Sequence, residues 1–168
     1  MNAKLFDSET SLGERRIIVR CSDEGVEMLE LPWGLEPFEA GGRPVTVLRA
    51  EGKTFPDHRC LVPASVFRHR SRGKNYSFSL ADGDWFYFAG IWRPATRNWP
   101  ESYAILTTTA NDDVAPFHDR QMAVLRREQR MAWLDLTRAE AEILQPSPPG
   151  SFKVSSHSHI RVQAAFAF

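Results

Sequence analysis

Residues 101–125, ESYAILTTTANDDVAPFHDRQMAVL, decide how the rest of the chain is read. Tyr103–Thr108 is apolar and rich in strand-forming residues, as a buried strand requires. Thr109-Ala110-Asn111 breaks that run and an acidic turn follows. His118-Asp119-Arg120 then arrives just before a second apolar strand, Met122–Leu125. An imidazole flanked by a carboxylate and a guanidinium, held between two strands, stands where a rigid scaffold offers a general acid or base to a ligand. The same residues also suit a charged surface connection, so the flanking segments have to decide.

Working outward, strands dominate. Arg16–Cys21 and Val26–Leu31 flank the turn cluster Ser22–Gly25 and read as a hairpin. Val45–Leu48 is short and β-branched. Arg59–Phe67 is apolar enough to be buried on both faces, with Pro63 implying a bulge or an edge. Tyr76–Leu80 and Trp85–Trp92 flank Asp82-Gly83, a hairpin signal. Helix comes late: Arg127–Leu136, then Arg138–Leu144 with Thr137 as N-cap and Glu140 in the capping-box position. Phe152–Val154 and Ile160–Phe168 read as terminal strands. The expectation is one β-rich α+β domain over residues 1–168, its antiparallel strands curled into a barrel-like sheet with a few short helices. Residues 1–14 are expected to pack loosely.

The 168 residues carry zero formal net charge, so binding of a polyanion has to come from a local patch. Arg68, His69, Arg70, Arg72 and Lys74 crowd seven positions, read as a basic loop suited to phosphate. No apolar run is long enough to span a bilayer, and residues 1–16 lack a signal-peptide core, so a cytoplasmic location without membrane contact is expected. Cys21 and Cys60 read as reduced core thiols. The cysteines lack metal-site spacing; His157-x-His159 could set two imidazoles on one strand face as metal ligands need, but no third ligand is evident, and no metal or cofactor is expected.

Six segments, in order, resemble the SOS-response-associated peptidase (SRAP) family. They are Trp33-Gly34-Leu35, Arg49-Ala50-Glu51, Arg59–Ser65 followed by Phe67, Phe88–Trp92, Leu106–Asn111, and His118-Asp119-Arg120. The resemblance implies a DNA-damage (SOS) response protein that binds single-stranded DNA at abasic sites. It further implies that a cysteine directly after the initiator methionine captures the sugar aldehyde as a thiazolidine, through its amine and thiol. A glutamate, an asparagine and the histidine of the HDR motif assist, arginines hold phosphates, and self-cleavage ahead of the cysteine gives the peptidase name. Carried onto this chain, His118 is the catalytic residue, and Trp33, Arg49 and Arg120, joined by Arg68 and Arg70 of the basic patch, contact DNA. Glu51, Thr107, Thr108, Asn111 and Asp119 support them.

The chain departs from the family where the chemistry lies. Asn2 stands for the cysteine and has no thiol, Val47 for the asparagine, and His69, followed by Arg70, for the glutamate. Neither Cys21 nor Cys60 pairs a thiol with a terminal amine, and a start upstream of Met1 would restore neither Val47 nor His69. The expectation is a monomer that binds single-stranded or gapped DNA, with crosslinking and self-cleavage lost. Two alternatives stand beside it: a hydrolase or abasic-site lyase using His118 with His69 or Asp119, and a protein-interaction module that keeps only the fold.

Overall fold

Arg15–Ser22 (β1) and Gly25–Pro32 (β2) form the expected hairpin, in register from Arg15↔Pro32 to Ser22↔Gly25. The computed structural model describes residues 4–7 and 9–158. The readings at Asn2, His159 and Ile160–Phe168 lie outside those residues. The remaining strands are Val47–Arg49 (β3), Arg59–Ala64 (β4), Phe67–Ser71 (β5), Lys74–Leu80 (β6), Phe86–Arg93 (β7), Ser102–Thr109 (β8), Arg120–Met122 (β9), Val124–Leu125 (β10) and Phe152–Ser158 (β11). A 3-10 turn at Arg127–Gln129 leads into the short helix Arg130–Leu134 (α1), and Glu140–Ile143 (α2) follows.

The strands form two sheets rather than one closed barrel. The larger runs β2-β1-β4-β7-β8-β3, with β9 on β8 and β10 on β7; the smaller runs β11-β6-β5. All pairings between strands are antiparallel except β3 on β8. Strands β7 and β8 pair only from Gly90↔Ile105 to Arg93↔Ser102 and then splay apart. The segment 120–125 fills the opening: β9 pairs with β8, Ala123 bonds to both neighbours, and β10 pairs with β7. That is why the single apolar strand expected at Met122–Leu125 is split in two.

Each face of the large sheet has its own core. One face, with Ile18, Cys60, Val62, Phe88 and Ile105, packs against Phe67, Phe78, Leu80 and Phe152 of the small sheet. The other, with Leu61, Ala89, Ile91 and Leu106, packs beneath Trp133, Leu134 and Ile143 of the helices. The leader expected to pack loosely contributes Phe6, buried edge-on against Trp33 and Phe88.

Several local expectations give way to tertiary context. The basic loop at 68–74 is instead β5 and a tight turn, with Arg72 and Gly73 both at positive φ (50° and 77°). Two successive left-handed residues give the twist that a two-residue hairpin needs. Asp82-Gly83 does not close a hairpin, because β6 pairs with β5 and β11 and the turn carries the chain to the other sheet. Thr137 does not cap α2. Ala139 holds that position, and Glu140 turns inward, accepting from Arg59 Nη2 (2.8 Å) and the backbone N–H of Phe55 (2.6 Å). Pro63 interrupts nothing, since the β1–β4 ladder consists of Val19↔Leu61 alone. Cys60 is buried as expected, but Cys21 is exposed near the hairpin tip.

Gly90 sits between β4 and β8 in the middle of the large sheet, opposite Cys60 and Ile105. A Cβ there would lie 2.9 Å from the carbonyl oxygen of Ala104 and 3.0 Å from Cys60 Sγ. Backbone cannot yield as a flexible side chain would, so overpacking is costly here. Gly90→Ala is expected to lower stability by about 1–3 kcal/mol, measured as a lower denaturant midpoint at unchanged slope.

Candidate nucleic-acid interface

The β5 strand alternates, so Arg68 and Arg70 are exposed while His69 turns inward between them. The His69 ring lies edge-on to Phe67 and Phe78, and its Nε2 has no hydrogen-bond partner. Burial, reinforced by the neighbouring His118, pushes the His69 imidazole down to about 4, so it is neutral at physiological pH.

His118 reaches His69 through a loop built by Asn111. The Asn111 side chain is buried; its Oδ1 accepts from the backbone N–H groups of Asp113 and Val114, and its Nδ2 donates to Ser147 O and Asp113 Oδ2. Phe117 anchors the far end against Tyr76, with ring centroids 4.3 Å apart. The His118 ring is thereby stacked on His69, centroids 4.5 Å apart and planes 17° from parallel. The backbone N–H of Arg120 lies 3.0 Å from His118 Nδ1. The carbonyl oxygen of Arg120 lies 2.9 Å from the same nitrogen, so the Arg120 backbone orients the ring from both its polar groups. Asp119 is exposed, with Oδ1 3.5 Å from the same nitrogen.

Arg120 does not point freely outward. Its guanidinium grips Glu51 through both carboxylate oxygens (2.6 and 2.8 Å), and Nη2 also donates to the carbonyl and hydroxyl oxygens of Thr107 (2.9 Å each). Thr109 donates to Glu51 from its backbone N–H and its hydroxyl. The Arg120 guanidinium beside Glu51 holds that carboxyl down to about 2. The supporting residues thus divide: Glu51, Thr107 and Asn111 fix the backbone that carries His118. Thr108 faces the other way and is buried. Arg49, opposite Thr107 in the ladder, is exposed and has no ion pair among the described residues. Val47 is exposed on the same strand face, two residues away.

Trp33, Arg68, His69 and Arg70, all singled out from the sequence, line one cleft of about 360 Å³. Phe6, Asp7, Thr10, Asn75 and Met122 complete much of its wall. Trp33 is half-buried, its Nε1 donating to Thr46 O (3.0 Å), so it presents a fixed edge. The sequence reading missed the leader residues. An Asp7–Thr10 turn, in which the Asp7 N–H donates to Thr10 Oγ1 (3.0 Å), was their available signal. It also missed Phe117, which closes the short apolar run Val114-Ala115-Pro116 just before His118. Among the described residues, no three His, Cys, Asp or Glu side chains gather as metal ligands, and no helix is long and apolar enough to cross a membrane.

The cleft lined by Trp33, Arg68, His69 and Arg70, with His118 stacked behind His69 and Arg49 and Arg120 outside its lining, stands on a two-sheet, β-rich α+β frame. The family follows from comparison: the model described as "SOS response associated peptidase (SRAP)" matches residues 13–159, and the chain belongs to that family. Solved structures similar in fold include a protein from Bacteroides thetaiotaomicron (TM-score 0.73, 23% identity, covering 90% of this chain and 77% of that one). A protein from Bordetella bronchiseptica is similar at TM-score 0.72 and 18% identity, over 94% of this chain and 90% of its own. A phage-related protein from the same organism follows at 0.65 and 21%, over 88% and 80%. No match to a curated protein was found.

Two acid-sensitive groups come from this geometry. A depressed pKa in the folded state means that the unfolded chain takes up protons first, so stability is lost as pH falls. For His69 the loss runs from about 6.5, the unperturbed histidine value, toward about 4. For Glu51 it runs from about 4.3 toward about 2. In a titration followed by NMR, the His69 ring is expected to stay neutral until about pH 4, and Glu51→Gln to flatten the acid limb of the stability curve below pH 4.3 or so. A His69 midpoint near 6.5 would mean that its burial is not maintained in solution.

Proposed function

We propose that this SRAP-family protein binds single-stranded or gapped DNA along the cleft beside β5 and that it does not bond to abasic sites. The observation that supports the reading is the convergence of Arg68, His69, Arg70 and Trp33 on one open cleft; His118 stacks on His69 without lining that cleft. Arg68 and Arg70 stand exposed on the rim, Arg68 with Glu9 3.7 Å away and Asp7 on the same wall, and a phosphate competes with these exposed carboxylates for the guanidinium groups. Arg49, Arg68 and Arg70 hold the backbone. Arg120, committed to Glu51 and Thr107, acts as a positioning residue for His118. Trp33 offers an aromatic edge against which an unpaired base can pack.

Covalent capture needs an amine and a thiol on one residue, and neither Cys21 nor Cys60, both within the chain, supplies the pair. Cys60 is sealed in the core, where burial raises its thiol far above the ordinary range. Val47 cannot hydrogen-bond a sugar. His69, held neutral, accepts a proton but carries no charge with which to replace a glutamate. Two parallel stacked imidazoles do not form the in-line hydrogen bond of a proton relay, which weighs against His69 and His118 acting together as an acid/base pair.

Retention of single-stranded oligonucleotide should fall steeply with salt. Arg49→Ala and Arg70→Ala should each reduce the slope of log K against log salt by about 0.7, alike for every sequence. On a denaturing gel, an oligonucleotide with an abasic site should migrate unshifted and uncut after incubation. A heat-stable shifted band would restore covalent capture, and cleaved strand would favour the lyase reading. Absence of binding at low salt would favour the interaction module.

A further inference from the structure

Strand β2 ends the large sheet, and its outer edge is open among the described residues. Hydrogen bonding on its inner side fixes which groups point out. Trp33 N–H donates to Glu14 O, and Ile17 N–H turns away from β2 to Lys4 O. With the β1–β2 register, this alternation directs Leu31, Leu29 and Glu27 toward β1 and the backbone groups of Val26, Met28 and Glu30 outward. Arg15 Nη2 donates to the Glu30 carbonyl (2.7 Å), which keeps a second lone pair. Among the described residues, no backbone group pairs with this row. An edge of eight residues in this condition is a template for another strand.

The side chains at that edge are apolar where they are most exposed. Val26 and Met28 are 53% and 66% exposed and form the outer wall of a groove of about 500 Å³ that runs in to Leu61, Tyr87 and Met131. A strand added outside β2 sets its own side chains against the bare flanks of both.

Strand β2 is complementary to itself. When two copies meet antiparallel about an axis at Met28, Met28 faces Met28, Val26 faces Glu30 and Glu27 faces Leu29 of the other copy. The outward N–H groups of Val26, Met28 and Glu30 then meet the outward carbonyls of Glu30, Met28 and Val26 across the axis. No carboxylate lies directly opposite another. An axis at Glu27 instead sets Glu27 against Glu27 and Glu24 against Glu30, which like charge disfavours. An axis at Leu29 brings Pro32, which has no N–H, opposite Val26.

The ends of the strand agree with the Met28 axis. Glu24 comes opposite Pro32 of the other copy, one strand from that copy's Arg15, the β1 partner of Pro32. Neither Glu24 nor Arg15 has an ion pair among the described residues, so each is free to serve the other. Zero net charge adds no long-range repulsion between copies. We propose that two copies of this chain associate through an antiparallel β2–β2 pairing centred on Met28, joining their large sheets across a two-fold axis.

Light scattering over a concentration series tests the association, and crosslinking tests the register. Mass should rise from monomer to dimer with concentration. Met28→Glu sets two carboxylates face to face on the axis and should weaken the dimer at least about tenfold. Met28 is exposed, so the variant's monomer should melt as the parent's does. In a Cys21→Ser background, Met28→Cys should form an inter-chain disulfide on oxidation, because opposed residues of such a pair stand about 5.5 Å apart at Cα. Val26→Cys, whose own counterpart lies several residues along the strand, should not. A monomer mass at every concentration overturns the proposal. So does a dimer indifferent to Met28→Glu, or one crosslinked as readily through Val26→Cys as through Met28→Cys.

Discussion

The pairing of Arg120 with Glu51 organises this molecule. It joins residues 69 positions apart and draws in Thr107 and Thr109, so the end of β3, the splayed half of β8 and the start of β9 become one unit. A two-pronged guanidinium–carboxylate contact fixes direction as well as distance. Because it is partly screened from water, it holds its geometry better than an open surface pair. His118 sits two residues before Arg120 and takes its position from that backbone.

A frame that fixes one imidazole so firmly also determines what lies against it. The small sheet brings His69 up from the other side, and its neighbours Phe67 and Phe78 withhold the water that would stabilise a charged ring. The floor of the cleft is therefore aromatic and, at its deepest member, neutral. The positive charge stands on the rim, on side chains that cannot lose their protons. This division suits holding a polyanion better than attacking it.

Much of this was legible in the sequence, for reasons that differ by element. The β1–β2 hairpin and β8 were plain because strand periodicity and turn composition agree there. Residues 68–74 misled because charge suggests a loop, whereas the pairing Arg68↔Ser77 through Ser71↔Lys74 makes a strand whose polar residues face water. Asp82-Gly83 misled because a turn signal reports a change of direction and not which sheet the chain enters next. Of the residues named from order and motif, Trp33, Arg68, His69 and Arg70 meet at one cleft and His118 stacks on His69, while Arg49 stands exposed outside that lining. Arg120 was read as a phosphate ligand because its side-chain partner lies 69 residues away, beyond the reach of any local pattern. The leader's part in the cleft was invisible for the same reason: nothing local to Leu5-Phe6 says that Phe6 packs on Trp33 while Leu5 stays exposed.

The contrast between the two cysteines gives the fold a chemical readout of its own. Cys21 is open to solvent on the hairpin while Cys60 is sealed beneath the sheet. An alkylating reagent added to the intact protein meets one sulfur, and the second is uncovered only when the layers around Gly90 come apart. Counting modified thiols by mass thus reports opening of the molecule's centre with no substitution in the sequence.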